Sequence, residues 1–201
     1  MLKNVCSYDE LDNSRHQEIL NGNNMTLDEN DFLTFQLYTA SKTPRIKKAR
    51  IRNWIIVTLA SLCLAYLFYE SGNVILGNYF LIVAGLSATL YPFYTRWWYR
   101  KHYLKYIRDT YKNRIGEQCE LDIDENTIGA KDSTGIVKIN KSEIKEINEI
   151  KDYYFLKART GTTLIISKVK TDEIEKIENE VKFLVEKFGA KHNIELNWKW
   201  K

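Results

Sequence analysis

Hydrophobic residues dominate residues 53–95, a run of forty-three positions with no Lys or Arg and Glu70 as its only formal charge. A bilayer core of roughly 30 Å takes about 20 mostly apolar residues per helix. The run is too long for one span and suits two. Ser71-Gly72-Asn73 supplies turn chemistry at its centre. The pattern therefore predicts a two-helix transmembrane hairpin over 53–95, with spans at 54–69 and 74–94 and a tip at 70–73. The middles of the spans carry no ionisable Asp, Glu, Lys, Arg or His, which argues against an ion or proton pathway. Small residues four apart, Ser61/Ala65 and Ala84/Ala88, allow close helix approach. They predict packing of one span on the other, with a homo-oligomer through the Ala84/Ala88 face as the alternative. Pro92 is expected to kink the second span.

Periodicity changes on either side of this run. Residues 1–25 are polar and Asn-rich, with at most a short helix opening at Ser7 or Asp9 and reaching Leu20. Thr26-Leu27-Asp28-Glu29 matches a capping box. It predicts an amphipathic helix with Leu27, Phe32, Phe35, Leu37 and Tyr38 as apolar positions, lying on the membrane surface or docked on the cytoplasmic domain. Pro44 marks a bend, and the N-terminal region closes at 52. After the hairpin, Tyr99, Tyr103, Tyr106, Ile107 and Tyr111 recur at helical spacing, so 96–116 reads as a helix leaving the membrane and ending at Gly116.

Residues 117–201 then switch to short alternating runs. Cys119, Leu121 and Ile123 alternate with acids as in a half-buried strand. Thr134-Gly135 makes a turn before IVKIN. Ile144, Ile147 and Ile150 are three apart, which fits a bent strand or a short helix. YYFLKAR and TTLIISK, joined at Thr160-Gly161, give the clearest hairpin signal. A helix opening at Thr171 carries Ile174, Ile177, Val181, Leu184 and Val185 on one face and is capped by Gly189. A final strand is expected from the alternation of Ile194, Leu196, Trp198 and Trp200. The fold class is thus a membrane α-helical hairpin plus an α+β cytoplasmic domain, a small antiparallel sheet with a C-terminal helix.

Charge orients this arrangement. The net charge is +4, but residues 1–41 carry −5, 42–116 carry +11 and 117–201 carry −2. The excess sits in Lys42, Arg45, Lys47, Lys48, Arg50 and Arg52 before the hairpin and in Arg96, Arg100, Lys101, Lys105 and Arg108 after it. Short loops rich in Lys and Arg stay cytoplasmic, so a multi-pass protein with both termini cytoplasmic is expected. Trp54, Trp97, Trp98 and Tyr99 fall at the level of an interfacial aromatic belt. The basic flanks suit anionic lipid headgroups. A nearly neutral C-terminal domain speaks against nucleic acid as its main partner. Cys6, Cys63 and Cys119 form no disulfide or metal spacing and fit a reducing compartment. No secretory signal is expected, because residues 1–25 hold no apolar run.

Catalytic chemistry finds little support. His16, His102 and His192 are scattered and read as surface residues. Asp122 to Asn126 opens like a calcium loop, but Thr127 and Ser133 stand where Gly and Glu are needed. No catalytic, cofactor-binding or metal residue is assigned, and no enzyme or cofactor is expected. The order of features resembles the bacterial YcxB-like membrane proteins. The resemblance covers roughly residues 26–190 and rests on FLTFQLY, TGIVKIN, SEIKEI and YYFLKARTGTTLIISK; residues 1–25 and the Trp-rich tail lie outside it. It implies a pleckstrin-homology-like cytoplasmic domain and no catalytic residue. The reading is a membrane-anchored binding or scaffolding protein of the bacterial inner membrane with a protein partner. The alternative is an immunity protein that neutralises a membrane-active or membrane-delivered toxin.

Overall fold

The computed structural model describes residues 23–200. The polar segment before them, with Cys6, His16 and the expected helix to Leu20, lies outside the described residues. The chain divides into two compact units, residues 23–31 with 111–198 and residues 32–110 with 199–200.

The first unit is an α+β domain. β1 (Asn23–Thr26), β2 (Gln118–Ile123), β3 (Thr127–Asp132) and β4 (Gly135–Asn140) form one antiparallel sheet in that order. A 3-10 turn at Lys141–Glu143 leads to β5 (Ile144–Ile150), β6 (Tyr153–Ala158) and β7 (Thr163–Ser167). These form the second sheet, in the order β7-β6-β5-β8, where β8 (Lys191–Ile194) runs parallel to β5. The sheet thus reaches beyond the expected 117–201 region. β1 comes from before the apolar run and pairs with β2 from after it, Met25 opposite Cys119 and Thr26 opposite Gln118.

Helix packing closes the core of this unit. Ile177, Val181 and Leu184 bury one face of the C-terminal helix against Leu121, Ile128 and Ile139 of the first sheet and Ile147, Leu156 and Ile166 of the second. Gly189, at φ 66°, ends the helix. Its N–H donates to Val185 O at 3.1 Å, and Ala190 N donates to Leu184 O at 3.3 Å. That pair of bonds needs a left-handed residue, which glycine adopts without a Cβ penalty. The three-residue spacing of Ile144, Ile147 and Ile150 resolves as a strand. A register shift between Ile144 and Glu146 puts Ile144 and Ile147 on the core face, and Ile150 is buried on the other.

The second unit holds three helices: α1 (Glu29–Lys42, whose first turn belongs to the first unit), α2 (Pro44–Glu70) and α3 (Val74–Thr110). The C-terminal helix (Ile174–Phe188) is accordingly α4. Thr43 separates α1 from α2, and Pro44 opens α2, where its missing N–H is no loss. On α1, Phe32, Leu33, Leu37 and Tyr38 are buried within the protein, which removes them from contact with a membrane surface.

α2 and α3 are each long and apolar enough to cross a membrane, and only 11% of each apolar window is buried. Ile75, Leu59, Leu67, Ile82 and Phe93 are among the exposed side chains. Within residues 54–94 the few buried positions are small, Ser61 and Ala65 on α2 and Gly77 and Ala84 on α3. Thr58 Oγ1 lies 3.3 Å from Ser87 Oγ across the seam. The small residues therefore pack one helix on the other, with Ala84 only 3% exposed. α3 runs through Pro92 and on to Thr110, so 96–110 continues the apolar helix as expected. It stops before the expected Gly116, which sits at φ 80° in the turns that follow.

Candidate functional site

Sequence reading missed a cleft of about 670 Å³ beside α4. Glu175, Asn179, Phe183 and Lys187 recur every four residues and so lie on one stripe of α4. This stripe is distinct from the apolar one that enters the core. The only sequence signal was Phe183, an aromatic residue off the apolar face. The opposite wall comes from Glu125 and Asn126 at the β2–β3 turn and from Lys141 of the 3-10 turn. Lys141 N donates to Asn126 O at 2.9 Å, which fixes the two walls to each other.

Lys141 is the unusual member, a lysine only 3% exposed. Its Nζ lies 2.7 Å from Glu180 Oε1 and 5.3 Å from the centroid of the Phe183 ring. A buried cation needs such partners, because desolvation otherwise outweighs its gains. Lys187 also sits over Phe183, at 4.8 Å. The cleft thus pairs an aromatic surface flanked by cations with the carboxylates of Glu125, Glu175 and Glu180. Those acids would repel a phosphate. Mixed charge around an aromatic surface suits a protein segment.

Two other polar clusters hold the domain together. At its N-terminal edge, Asp28 Oδ1 accepts the N–H groups of Asn30 and Asp31, and Asp31 Oδ2 accepts Asp28 N–H at 2.6 Å. The capping box is therefore Asp28/Asp31 rather than the expected Thr26/Glu29, because Thr26 is held in β1. Asp31, 1% exposed, also accepts Tyr153 OH at 2.6 Å and Lys170 Nζ at 2.6 Å. Lys170 reaches Asp28 Oδ2 at 2.8 Å as well. The hydrogen bond from Lys170 holds the Asp28 carboxyl below its usual range. Burial, reinforced by Asp31, drives the Tyr153 phenol upward.

The second cluster lies on β5, β7 and β8. Glu149 Oε1 accepts Lys168 Nζ at 2.5 Å, and its Oε2 is 2.8 Å from His192 Nε2. Lys168 also sits 4.2 Å from the centroid of Tyr154. His192 has no acidic partner at ligand spacing along the chain; the parallel β5–β8 pairing brings Glu149 to it. Burial by itself would raise the Glu149 carboxyl, but Lys168 and then His192 outweigh it and hold it below the usual carboxylate range. Both Glu149 and Asp28 have folded values lower than their unfolded ones. Their contribution to stability is present above about pH 4.5 and lost as pH falls through the folded values. Thermal unfolding of the full chain in detergent is thus expected to drop in midpoint between about pH 5 and 3. Glu149→Gln should flatten that slope; an unchanged slope would remove Glu149 from the acid response.

The Asp122–Asn126 stretch, with its calcium-like opening, has a different occupation. Lys138 Nζ bridges Asp122 Oδ2 at 2.7 Å and Asp124 Oδ2 at 3.1 Å. Below the apolar part of the hairpin, the expected aromatic belt carries an ammonium and an imidazole against its rings. Lys101 lies 5.1 Å from the centroid of Trp97, and His102 stacks on Trp98 at 5.2 Å. No family model matches the chain, and neither does any curated protein or solved structure.

Proposed function

We propose that this chain is a non-catalytic, membrane-anchored binding module of the bacterial inner membrane, with a cytoplasmic domain that takes a protein partner in the cleft beside α4. The observation that carries the reading is the β1–β2 ladder. Residues 23–26 and 118–123 belong to one sheet, and two helices of membrane-spanning length lie between them. Both ends of the apolar hairpin must then lie on one side of the bilayer, which only an even number of crossings allows. The eleven cations at the two ends of the hairpin, against none at 70–73, favour the cytoplasmic side for that domain. Seven strands followed by a helix that closes the core support the pleckstrin-homology-like reading and, with it, the YcxB-like resemblance. In this arrangement the hairpin is an insertion between the first and second strands.

Thiol labelling tests the topology. In a full-length protein carrying Cys6→Ser and Cys63→Ala, Ser71→Cys reports the tip and Lys151→Cys reports the exposed β5–β6 turn. Cys119 stays silent, since burial pushes its thiol up to about 11. An impermeant maleimide is expected to label position 71 in intact cells and position 151 only after the cells are opened. Labelling of position 151 from outside, or release of the protein by alkaline carbonate, overturns the reading. For the partner, a stoichiometric protein co-purifying from native membranes should be lost from Phe183→Ala and kept by Lys145→Ala. Equal retention by both variants would remove the cleft from the proposal, and a toxin as that partner would make this an immunity protein.

A further inference from the structure

Charge in the cleft beside α4 is unevenly compensated. Of its cations, Lys141 is paired with Glu180 at 2.7 Å and Lys176 with Glu173 at 3.1 Å. Lys187 rests over the Phe183 ring. Two carboxylates of the lining, Glu125 and Glu175, have no ion pair among the described residues. They reach the cleft from opposite walls, Glu125 from the β2–β3 turn and Glu175 from the first turn of α4. Asn126 follows Glu125 in the chain, and Asn179 stands one turn on from Glu175. Neither side-chain amide has a hydrogen bond among the described residues. Glu175 has a local reason for its place, since a carboxylate is favoured in the first turn of a helix. Glu125 has none. Lys138, the cation nearest that turn in the fold, is already held by Asp122 and Asp124. Uncompensated acids on two walls of one opening leave it a field that favours a positive group.

From this lining we infer that the cleft takes an extended protein segment carrying one arginine or lysine, seated between Glu125 and Glu175, and an apolar side chain laid on Phe183. The amides of Asn126 and Asn179 each donate and accept, which suits the backbone of such a segment. From Glu175 to Lys187 the helix advances by about 18 Å, a length that roughly five or six extended residues cover. Lys187 at the far end opposes a second cation there, so the segment holds a single basic anchor and is not a basic run. The inference rests on the cleft reading above and supplies the chemistry of its partner.

The test presents the full-length protein in detergent to an immobilised library of octapeptides, each position fixed in turn to one residue type. Arginine or lysine is expected to be selected at one position and a large apolar residue at another. A fluorescein-labelled peptide of the selected sequence should bind a Glu125→Gln/Glu175→Gln protein about tenfold more weakly. The difference should shrink in about 0.5 M salt. Both positions are exposed, so the core is untouched by the change. Glu178→Gln/Glu186→Gln removes the same charge from α4 outside the cleft and should bind like wild type. Selection of acidic residues, or of no cation, would overturn the inference. Equal weakening by the Glu178/Glu186 pair would assign the attraction to the general field of the helix and overturn it as well. Loss of the native partner from Phe183→Ala without any selected cation removes the basic anchor alone and keeps the cleft. A native partner indifferent to Phe183→Ala removes the cleft, and the anchor with it.

Discussion

Asp31→Ala is expected to lower the stability of the α+β domain by about 3 kcal/mol. The carboxylate does three things at once. It caps the first turn of α1 through Asp28 N–H, accepts the Tyr153 phenol and anchors the Lys170 ammonium. Removing it leaves the half-buried Tyr153 hydroxyl without its acceptor. Lys170, a third exposed, can turn to water or to Asp28, which keeps the cost at the lower end for a broken buried pair. Hydrogen exchange on the full-length protein in detergent reads the effect directly. Protection should fall in β1 and β6, where the cluster is anchored, and remain in α4. A double variant, Asp31→Leu with Lys170→Met, should recover part of the loss, because a matched apolar pair carries no orphaned charge. Unchanged protection in Asp31→Ala would show that the β1–β2 ladder alone holds the N-terminal segment.

Gly129→Ala is expected to cost about as much, roughly 3 kcal/mol, through overpacking. Its sign is the informative part. An Ala in place of Gly inside a strand ordinarily stabilises by about 0.4–1 kcal/mol, since the unfolded chain loses freedom. Here a Cβ on residue 129 would collide with the Val137 carbonyl oxygen and meet Lys138 Cγ at 3.1 Å. The first contact is backbone, so relief requires β4 to move away from β3. The second matters because Asp122, Gly129 and Lys138 lie in one row across β2, β3 and β4. The bare glycine lets the Lys138 side chain cross the middle strand to reach Asp122 and Asp124. Hydrogen exchange should accelerate in 135–140, and the denaturant midpoint should fall. A stabilised Gly129→Ala protein would sink the β3–β4 register described above.

Much of this protein was legible in its sequence, for one physical reason: solvent preference is recorded residue by residue. Forty-three positions without a basic residue can only be two apolar helices or a buried core, and the exposed side chains of α2 and α3 are those the pattern selected. The stripe of Ile177, Val181 and Leu184 fixed the inner face of α4, and Gly189 its end. The β6–β7 hairpin followed from Thr160-Gly161 between two alternating runs. Each of these depends on neighbours within about a dozen residues.

What the tertiary structure decided involves partners far apart in the chain. Asn23–Thr26 has too few residues and too little pattern to announce a strand; it becomes one because β2, almost a hundred residues later, offers an open edge. That pairing moved the helix cap from Thr26 to Asp28 and Asp31, since a residue committed to a ladder cannot also cap. His192 and Glu149 meet only through a parallel pairing that no turn signal predicts. Lys141 looks like any surface lysine until the 3-10 turn lays it against Glu180 and Phe183. Trp200 breaks the alternation that predicted a last strand because Arg50 and Tyr99 hold its ring. Local patterning, then, determined which segments are apolar helix and which are strand. The cleft beside α4 exists only where long-range packing brings unlike residues together.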